Sequence, residues 1–259
     1  MLIEGETQPA SSAESLQWSG WSRRVWRLMA LPLLLFFAVP IVVVLVRVSP
    51  AGLWAQLTSL QTVQAVAVSL RTTLISLLLI VLFGTPLGYL MGRYSFRGKQ
   101  LVDTLIDLPT VLPPSVAGLA LLMTFGRRGA FGGLLESLDV QIVFTQAAVI
   151  LAQTFIAAAF YVRSAALGFA AVDRELLQSA QLDGANSWQT FRYVTLPLAR
   201  NAMITGAVMS WARALGEFGA TILFAGNLPG VTQTMPLAIY LGFETNLDTA
   251  LTLSVILVL

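Results

Sequence analysis

The chain has 259 residues, 56% hydrophobic and 11% charged, with a formal net charge of +2; ordinary soluble domains carry about 25% charged residues. This excludes a soluble globular domain and describes an all-α polytopic membrane protein, whose length suits one membrane domain of about five to seven spans. With no Cys and no His, disulfides, thiolate chemistry, imidazole metal sites and His-based acid–base catalysis are excluded as well.

Residues 1–22 are polar and read as a disordered tail. Arg23, Arg24 and Arg27 then precede an apolar run, Leu28–Val48. The run is too long for a signal-peptide core and no small-residue cleavage site follows it, so it reads as an uncleaved first span in which Pro32 and Pro40 are tolerated as kinks. Trp18, Trp21, Trp26 and Trp54 flank it as interface anchors. The transmembrane domain to which these spans belong is expected over residues 23–259.

The second span is expected over Val66–Met91, with Arg71 near one end, and the third over Leu105–Phe125. Pro109, Pro113 and Pro114 predict a broken or bent third helix. Its freed carbonyls require protein or water as neighbours, which places this segment in the interior beside a pathway. Gly126–Val140 is expected as a loop, Ile142–Leu167 as the fourth span and Ala202–Ala225 as the fifth. Gly226–Asn246 reads as an outer segment. A sixth apolar run begins near Thr249 and ends at Leu259, too short for a span: either the span starts earlier or, the favoured reading, it is incomplete.

Lys and Arg orient the chain. Arg23, Arg24, Arg27, Arg93, Arg97, Lys99, Arg163, Arg174, Arg192 and Arg200 fall on one side, and Arg47, Arg71, Arg127 and Arg128 on the other. The excess places the N-terminus and the loop after span four in the cytoplasm.

That loop, Asp173–Pro197, is the longest polar interval after the tail. Leu176, Leu177 and Ala180 recur at helical spacing, with Asp173 as N-cap and Gly184 as stop; Asn186 or Ser187 can cap a second short helix, and Leu196–Pro197 opens a new apolar segment. A short helix with apolar knobs between two spans suits insertion into a groove on a soluble partner.

From Gln178 to Pro197 the loop resembles the cytoplasmic signature of binding-protein-dependent ABC permeases: Glu-Ala-Ala, three residues, Gly, nine residues, Ile, one residue, Leu-Pro. Gln178, Ser179 and Ala180 stand at the first three positions, Gly184 at the glycine, Val194 at the isoleucine and Leu196-Pro197 at the end. The spacing is complete, with Gln and Ser in place of the Glu and the first Ala. Trp211–Tyr240, with the run Ala214-Leu215-Gly216-Glu217-Phe218-Gly219-Ala220, and the phrase Leu108–Pro114 are similar to the molybdate/tungstate branch of that family, close to the sulfate/thiosulfate permeases.

The resemblance implies a type I ABC importer permease of about six transmembrane helices in a prokaryotic cytoplasmic (inner) membrane. Its signature loop would be a coupling helix docked on a separate P-loop ATPase subunit. A second permease copy in a homodimer and an external oxyanion-binding protein, periplasmic or lipid-anchored, would be its further partners. The chain itself has no G-x-x-x-x-G-K-[ST] loop, so ATP would be used by the partner subunit, and this chain is expected to be neither an enzyme nor the holder of a cofactor or metal. Its basic residues are dispersed along the topology rather than gathered into a nucleic-acid patch.

Candidate pathway residues are Pro113, Pro114, Ser115, Arg213, Glu217 and Asn227. Arg213 and Glu217, at i and i+4, read either as a self-neutralising packing pair or as a positive field on an oxyanion path with a carboxylate that prevents trapping. Pro113, Pro114 and Ser115 read as kink and pathway wall, and the glycines at 216, 219 and 226 as packing or gate positions. Asn227, Thr232, Gln233 and Thr234 read equally as anion or partner contacts and as a solvated loop. The reading from another class is an ion-coupled secondary transporter with Glu217 as the coupling carboxylate.

Overall fold

The computed structural model describes residues 20–48 and 50–258, and every regular element among them is helical. The first helix, α1 (Gly20–Arg47), is a unit by itself. It starts three residues before the expected permease boundary, and Pro32 and Pro40 lie inside it. Its apolar side chains, from Leu28 to Val46, are mostly exposed, as hydrocarbon-facing groups are. Trp26 and, after it in the chain, Trp54 are exposed, in keeping with anchoring roles; Trp18 and the rest of the expected tail up to residue 19 lie outside the described residues.

The second unit holds α2 (Pro50–Leu57), α3 (Leu60–Arg93), α4 (Lys99–Val111), α5 (Pro114–Phe125), α6 (Gly132–Ser137), α7 (Gln146–Ala170), α8 (Arg174–Leu182), α9 (Ser187–Thr190), α10 (Leu196–Leu215), α11 (Gly219–Phe224), α12 (Met235–Thr245) and α13 (Leu247–Val258). Three described helices, α1, α3 and α7, are long and apolar enough to cross a membrane, and α4 with α5 makes a fourth if the bent pair is one span. By length and composition the described residues thus hold three such spans, or four with the bent pair, against the six expected. The fifth expected span, Ala202–Ala225, is not one helix: α10 ends at Leu215 and α11 begins at Gly219.

The core is built on α7, which packs against α3 on one side and α10 on another. Close approach is made by glycines. Gly84, Gly88 and Gly92 recur every four residues on α3, and a Cβ added at Gly88 would lie 2.9 Å from the Ala165 Cβ and one at Gly92 2.4 Å from the Ala166 carbonyl. On the other side a Cβ at Gly206 of α10 would lie 2.6 Å from the Ser164 Cβ. Small residues at such seams let helices meet backbone to backbone where lipid offers no hydrophobic drive.

Hydroxyls then tie the helices together. Ser164 donates to the Ala202 carbonyl (2.6 Å), Ser210 to the Ala157 carbonyl (2.8 Å) and Ser76 to Gln153 (3.1 Å), while Thr85 and Tyr161 share a 2.7 Å bond. Most buried hydroxyls here are satisfied across helices or by their own backbone; the Oγ1 atoms of Thr154, Thr221 and Thr234 are exceptions.

Two cations that carry the topological signal also hold helix ends. Arg93 Nη1 donates to the Val172 and Phe169 carbonyls at the end of α7 (2.8 and 3.3 Å), and Lys99 Nζ to the Met91 and Tyr94 carbonyls at the end of α3 (2.7 and 3.1 Å). Cations suit these C-termini, where orphan carbonyls and the helix dipole concentrate negative charge.

Candidate functional site

The signature loop is built by local rules. Asp173 Oδ1 accepts the Glu175 N–H (2.9 Å) and starts α8. The helix ends in a Schellman motif: Ala185 N–H bonds to the Ala180 carbonyl and Gly184 N–H to that of Gln181, each at 3.0 Å, with Gly184 at φ 87°. The Ala180-x-x-x-Gly184 spacing is thus the spacing of that motif. Asn186 and Gln189 form a capping box with two 2.9 Å bonds and start α9.

Leu196–Pro197 opens the apolar helix α10 as expected, with Pro197 in its first turn, but no break precedes it. A wide turn, Phe191–Thr195, closed by Leu196 N–H on the Phe191 carbonyl, carries α9 directly into α10. Proline inside a helix loses the i−4 bond and crowds that carbonyl; one extra residue per turn just before Pro197 relieves both demands. From Ser187 to Leu215 the helix is therefore uninterrupted.

Gln178, Ser179, Gly184 and Pro197 are exposed, Ala180, Val194 and Leu196 half-buried, and α8 buries no residue. Leu182 (88% exposed) and Trp188 (66%) project from the same loop. Behind it lies a cavity of about 200 Å³ lined by residues that include Tyr89, Arg93, Leu177, Gln181 and Ser187.

The pathway candidates gather where two helices break. The axis turns by 116° between α4 and α5, at Leu112 and Pro113, both extended. The prolines dictate this: Pro113 and Pro114 lack N–H groups, and Pro114 begins the next helix at a position where none is needed. The second break, Gly216–Phe218, separates α10 from α11.

The two breaks meet. A Cβ at Gly219 would lie 2.7 Å from the Pro114 Cβ, and one at Gly118 2.7 Å from the Ala220 carbonyl. Between them is a cavity of about 370 Å³ lined by Pro114, Ser115, Arg213, Gly216, Glu217, Phe218 and Gly219.

Arg213 Nη1 lies 2.7 Å from Glu217 Oε2, with the Arg side chain 31% exposed and the Glu 1%. Glu217 Oε1 accepts the Ala220 N–H (2.8 Å) at the start of α11, whereas Oε2 has no well-directed hydrogen bond and only the ion-pair contact. The expected i, i+4 pair exists, but Glu217 lies beyond the end of α10 and doubles as the cap of the next helix. Both residues line the cavity, and of the two the guanidinium is the more accessible.

Of the expected pathway residues, Pro114, Ser115, Arg213 and Glu217 line this cavity and Pro113 caps α5 beside it. Asn227 does not line it: its Oδ1 accepts from Gln233 Nε2 (3.0 Å) within the 226–234 turn. Thr232, Gln233 and Thr234 are buried, so a solvated loop is the wrong description of them. The sequence reading missed Phe218 and Gly118 as parts of the crossing, and also a cluster of Arg163 with Asp103 and Asp107. Sequence separations of about a hundred residues at the crossing left no local signal for it, whereas the four-residue repeat of Gly84, Gly88 and Gly92 was readable.

Apolar spanning helices around two interrupted ones, with a polar surface loop feeding one of them, define a helical membrane permease. The model for the binding-protein-dependent transport system inner membrane component matches residues 84–259. The chain belongs to that family. It is 41% identical over 227 residues to the molybdenum transport system permease protein ModB of Mycobacterium tuberculosis, covering 87% of this chain and 85% of that protein. It is 40% identical to the Escherichia coli K12 protein of the same name (70% and 80% covered) and 38% identical to the sulfate transport system permease protein CysW of Synechococcus elongatus (71% and 66%). Among solved structures, a bacterial ABC transporter involved in import of the acidic polysaccharide alginate has a chain that matches with a TM-score of 0.65 at 18% identity, over 90% of both chains. The fold is that of an ABC importer permease.

Proposed function

We propose that this chain is the membrane-spanning permease subunit of an ATP-driven importer of molybdate. It would sit in a prokaryotic inner membrane with the N-terminus and the signature loop in the cytoplasm. The partners in this reading are a P-loop ATPase subunit on the signature loop, a second copy of the permease, and an external binding protein that delivers the anion. The names of the two ModB relatives support the ion. A solved alginate transporter in complex with its substrate-bound periplasmic protein supports the delivery partner.

One observation carries the mechanism: the signature loop and the cavity lie at opposite ends of a single continuous helix, Ser187 to Leu215. Displacement of α8 and α9 by ATPase closure moves α10 as a rigid body and so moves Arg213 and Gly216 against Pro114 and Ser115. In this reading Arg213 supplies positive field for a partly dehydrated dianion, and Glu217 keeps the site from holding it. Gln178, Ser179, Ala180, Gly184, Val194, Leu196 and Pro197 form the coupling surface, and ATP is bound and used by the partner.

The CysW relative gives sulfate a specific claim, with thiosulfate and tungstate beside it. Purification in gentle detergent, followed by reconstitution with the co-purified ATPase and the binding protein, tests both levels. ATP-dependent uptake of labelled molybdate, resisted by excess tungstate but not by excess sulfate, is expected; uptake driven equally by sulfate moves the ion to the sulfate branch. A Gly184→Val variant is expected to lose the ATPase, since φ 87° is strained for a β-branched residue. Transport by the chain without any ATPase would overturn the reading.

A further inference from the structure

Arg163 is the only charged residue of α7, and it is fully engaged by α4. Its Nε and Nη2 form a fork on the two carboxylate oxygens of Asp107 (2.8 and 2.6 Å). Nη1 reaches Asp103 Oδ1 (2.6 Å), and Nη2 also reaches the Asp103 carbonyl (3.1 Å). Bidentate pairing of this kind is directional as well as attractive, and Lys cannot reproduce it. Apolar packing of α4 is limited beside it: Pro109 is buried and Val102 and Ile106 half-buried, while Leu101, Leu105, Leu108 and Val111 are exposed. The fork adds a directional tie between α4 and α7 to this limited packing.

Both walls of the 370 Å³ cavity trace back to the signature loop, by different routes. The Arg213 wall is reached directly through α10. The Pro114–Ser115 wall belongs to α5, which continues from α4, and α4 has no direct link to the loop in sequence. The helix that does enter the loop from the other side is α7, through residues 171–173. The Arg163 fork joins α4 to α7 and closes that route.

We propose that Arg163, with Asp103 and Asp107, is a positioning clasp of transport: it makes α4 travel with α7, so that displacement of the signature loop reaches the Pro114–Ser115 wall as well as the Arg213 wall. The proposal rests on the reading of that loop as the ATPase dock. Without the clasp α5 follows α7 only through the apolar packing of Ala117 and Leu121 against Ala148, Val149 and Ala152, and less of each ATP hydrolysed is converted into opening of the cavity.

The test uses the whole complex, permease with its ATPase and binding protein, in proteoliposomes, with uptake of labelled molybdate and ATP hydrolysis measured on the same sample. In Arg163→Lys and Arg163→Gln the ATPase is expected to co-purify and to hydrolyse ATP as in the parent, while uptake per ATP falls several-fold. The chain has no cysteine, so a double Asp103→Cys, Arg163→Cys variant carries the only thiols of this subunit. It is expected to show the same loss, to regain uptake when the two positions are tied by a short bis-methanethiosulfonate reagent, and to lose it again on reduction.

Unchanged uptake per ATP in both Arg163 variants overturns the clasp, as does a tie that blocks uptake further, which would mean that the contact must open. Loss of the complex with loss of both activities reduces Arg163 to a folding contact and also overturns the proposal. Failure of the unaltered complex to couple ATP to uptake is a different result, which removes the ATPase-dock reading itself.

Discussion

Glu217 divides its two oxygens between two tasks: Oε1 caps α11 at Ala220 and Oε2 faces Arg213. Glu217→Gln keeps an acceptor for the Ala220 N–H and nearly the same volume, but leaves the guanidinium without its counter-charge. The cavity becomes more cationic, so the expected outcome is normal assembly, a lower KM for the oxyanion and a slower maximal uptake. Unchanged uptake kinetics with normal assembly would make the pair a packing device. The reverse variant is not symmetric. Arg213→Gln strands a carboxylate that is 1% exposed, and removing one partner of a buried pair costs about 3–5 kcal/mol. Its expected signature is a lowered thermal midpoint in detergent, larger than that of Glu217→Gln. The pairing of these residues was legible as i, i+4, whereas the cap was not, because the helix ends between them at Gly216 and no local pattern announces that end within an apolar run.

The α3–α7 seam shows how an element is placed by what it lacks. At Gly88 a side chain would meet the Ala165 Cβ at 2.9 Å and the Val162 carbonyl at 3.3 Å, neither of which can swing away. Gly88→Leu must splay the two helices, and overpacking of this kind costs about 1–3 kcal/mol; a depressed melting temperature and reduced yield in membranes are expected. Gly133→Ala, where an added Cβ meets nothing within 4 Å, is the control and should melt as the parent does. The continuous elements α3 and α7 were readable from their apolar runs, with ends differing by a few residues. The broken third span was readable from its prolines. The interruption of the fifth span was not, since Gly216–Phe218 carries no proline, and neither was the wide turn at Phe191–Thr195, because Pro197 admits both a helix start and an accommodated helix interior.

For the second unit as a whole, the reach of α10 decides how the two ends of the permease communicate. Its twenty residues span about 30 Å, comparable to the hydrocarbon thickness of a bilayer, and it is held along its length by Gly206 against Ser164 and by the bonds of Ser210 and Trp211. A helix so gripped transmits a displacement only while it stays straight. Thr205 is exposed at mid-helix, so substitution there tests stiffness without removing a packed side chain. Thr205→Pro deletes one backbone bond and kinks the helix at a cost of about 3 kcal/mol, whereas Thr205→Ala leaves the ladder intact. If α10 is the lever, Thr205→Pro keeps the ATPase bound and hydrolysing while ATP-driven uptake collapses, and Thr205→Ala transports as the parent does. If Thr205→Pro transports normally, coupling does not run through a rigid α10, and the route through α7 and its clasp on α4 must carry the whole displacement.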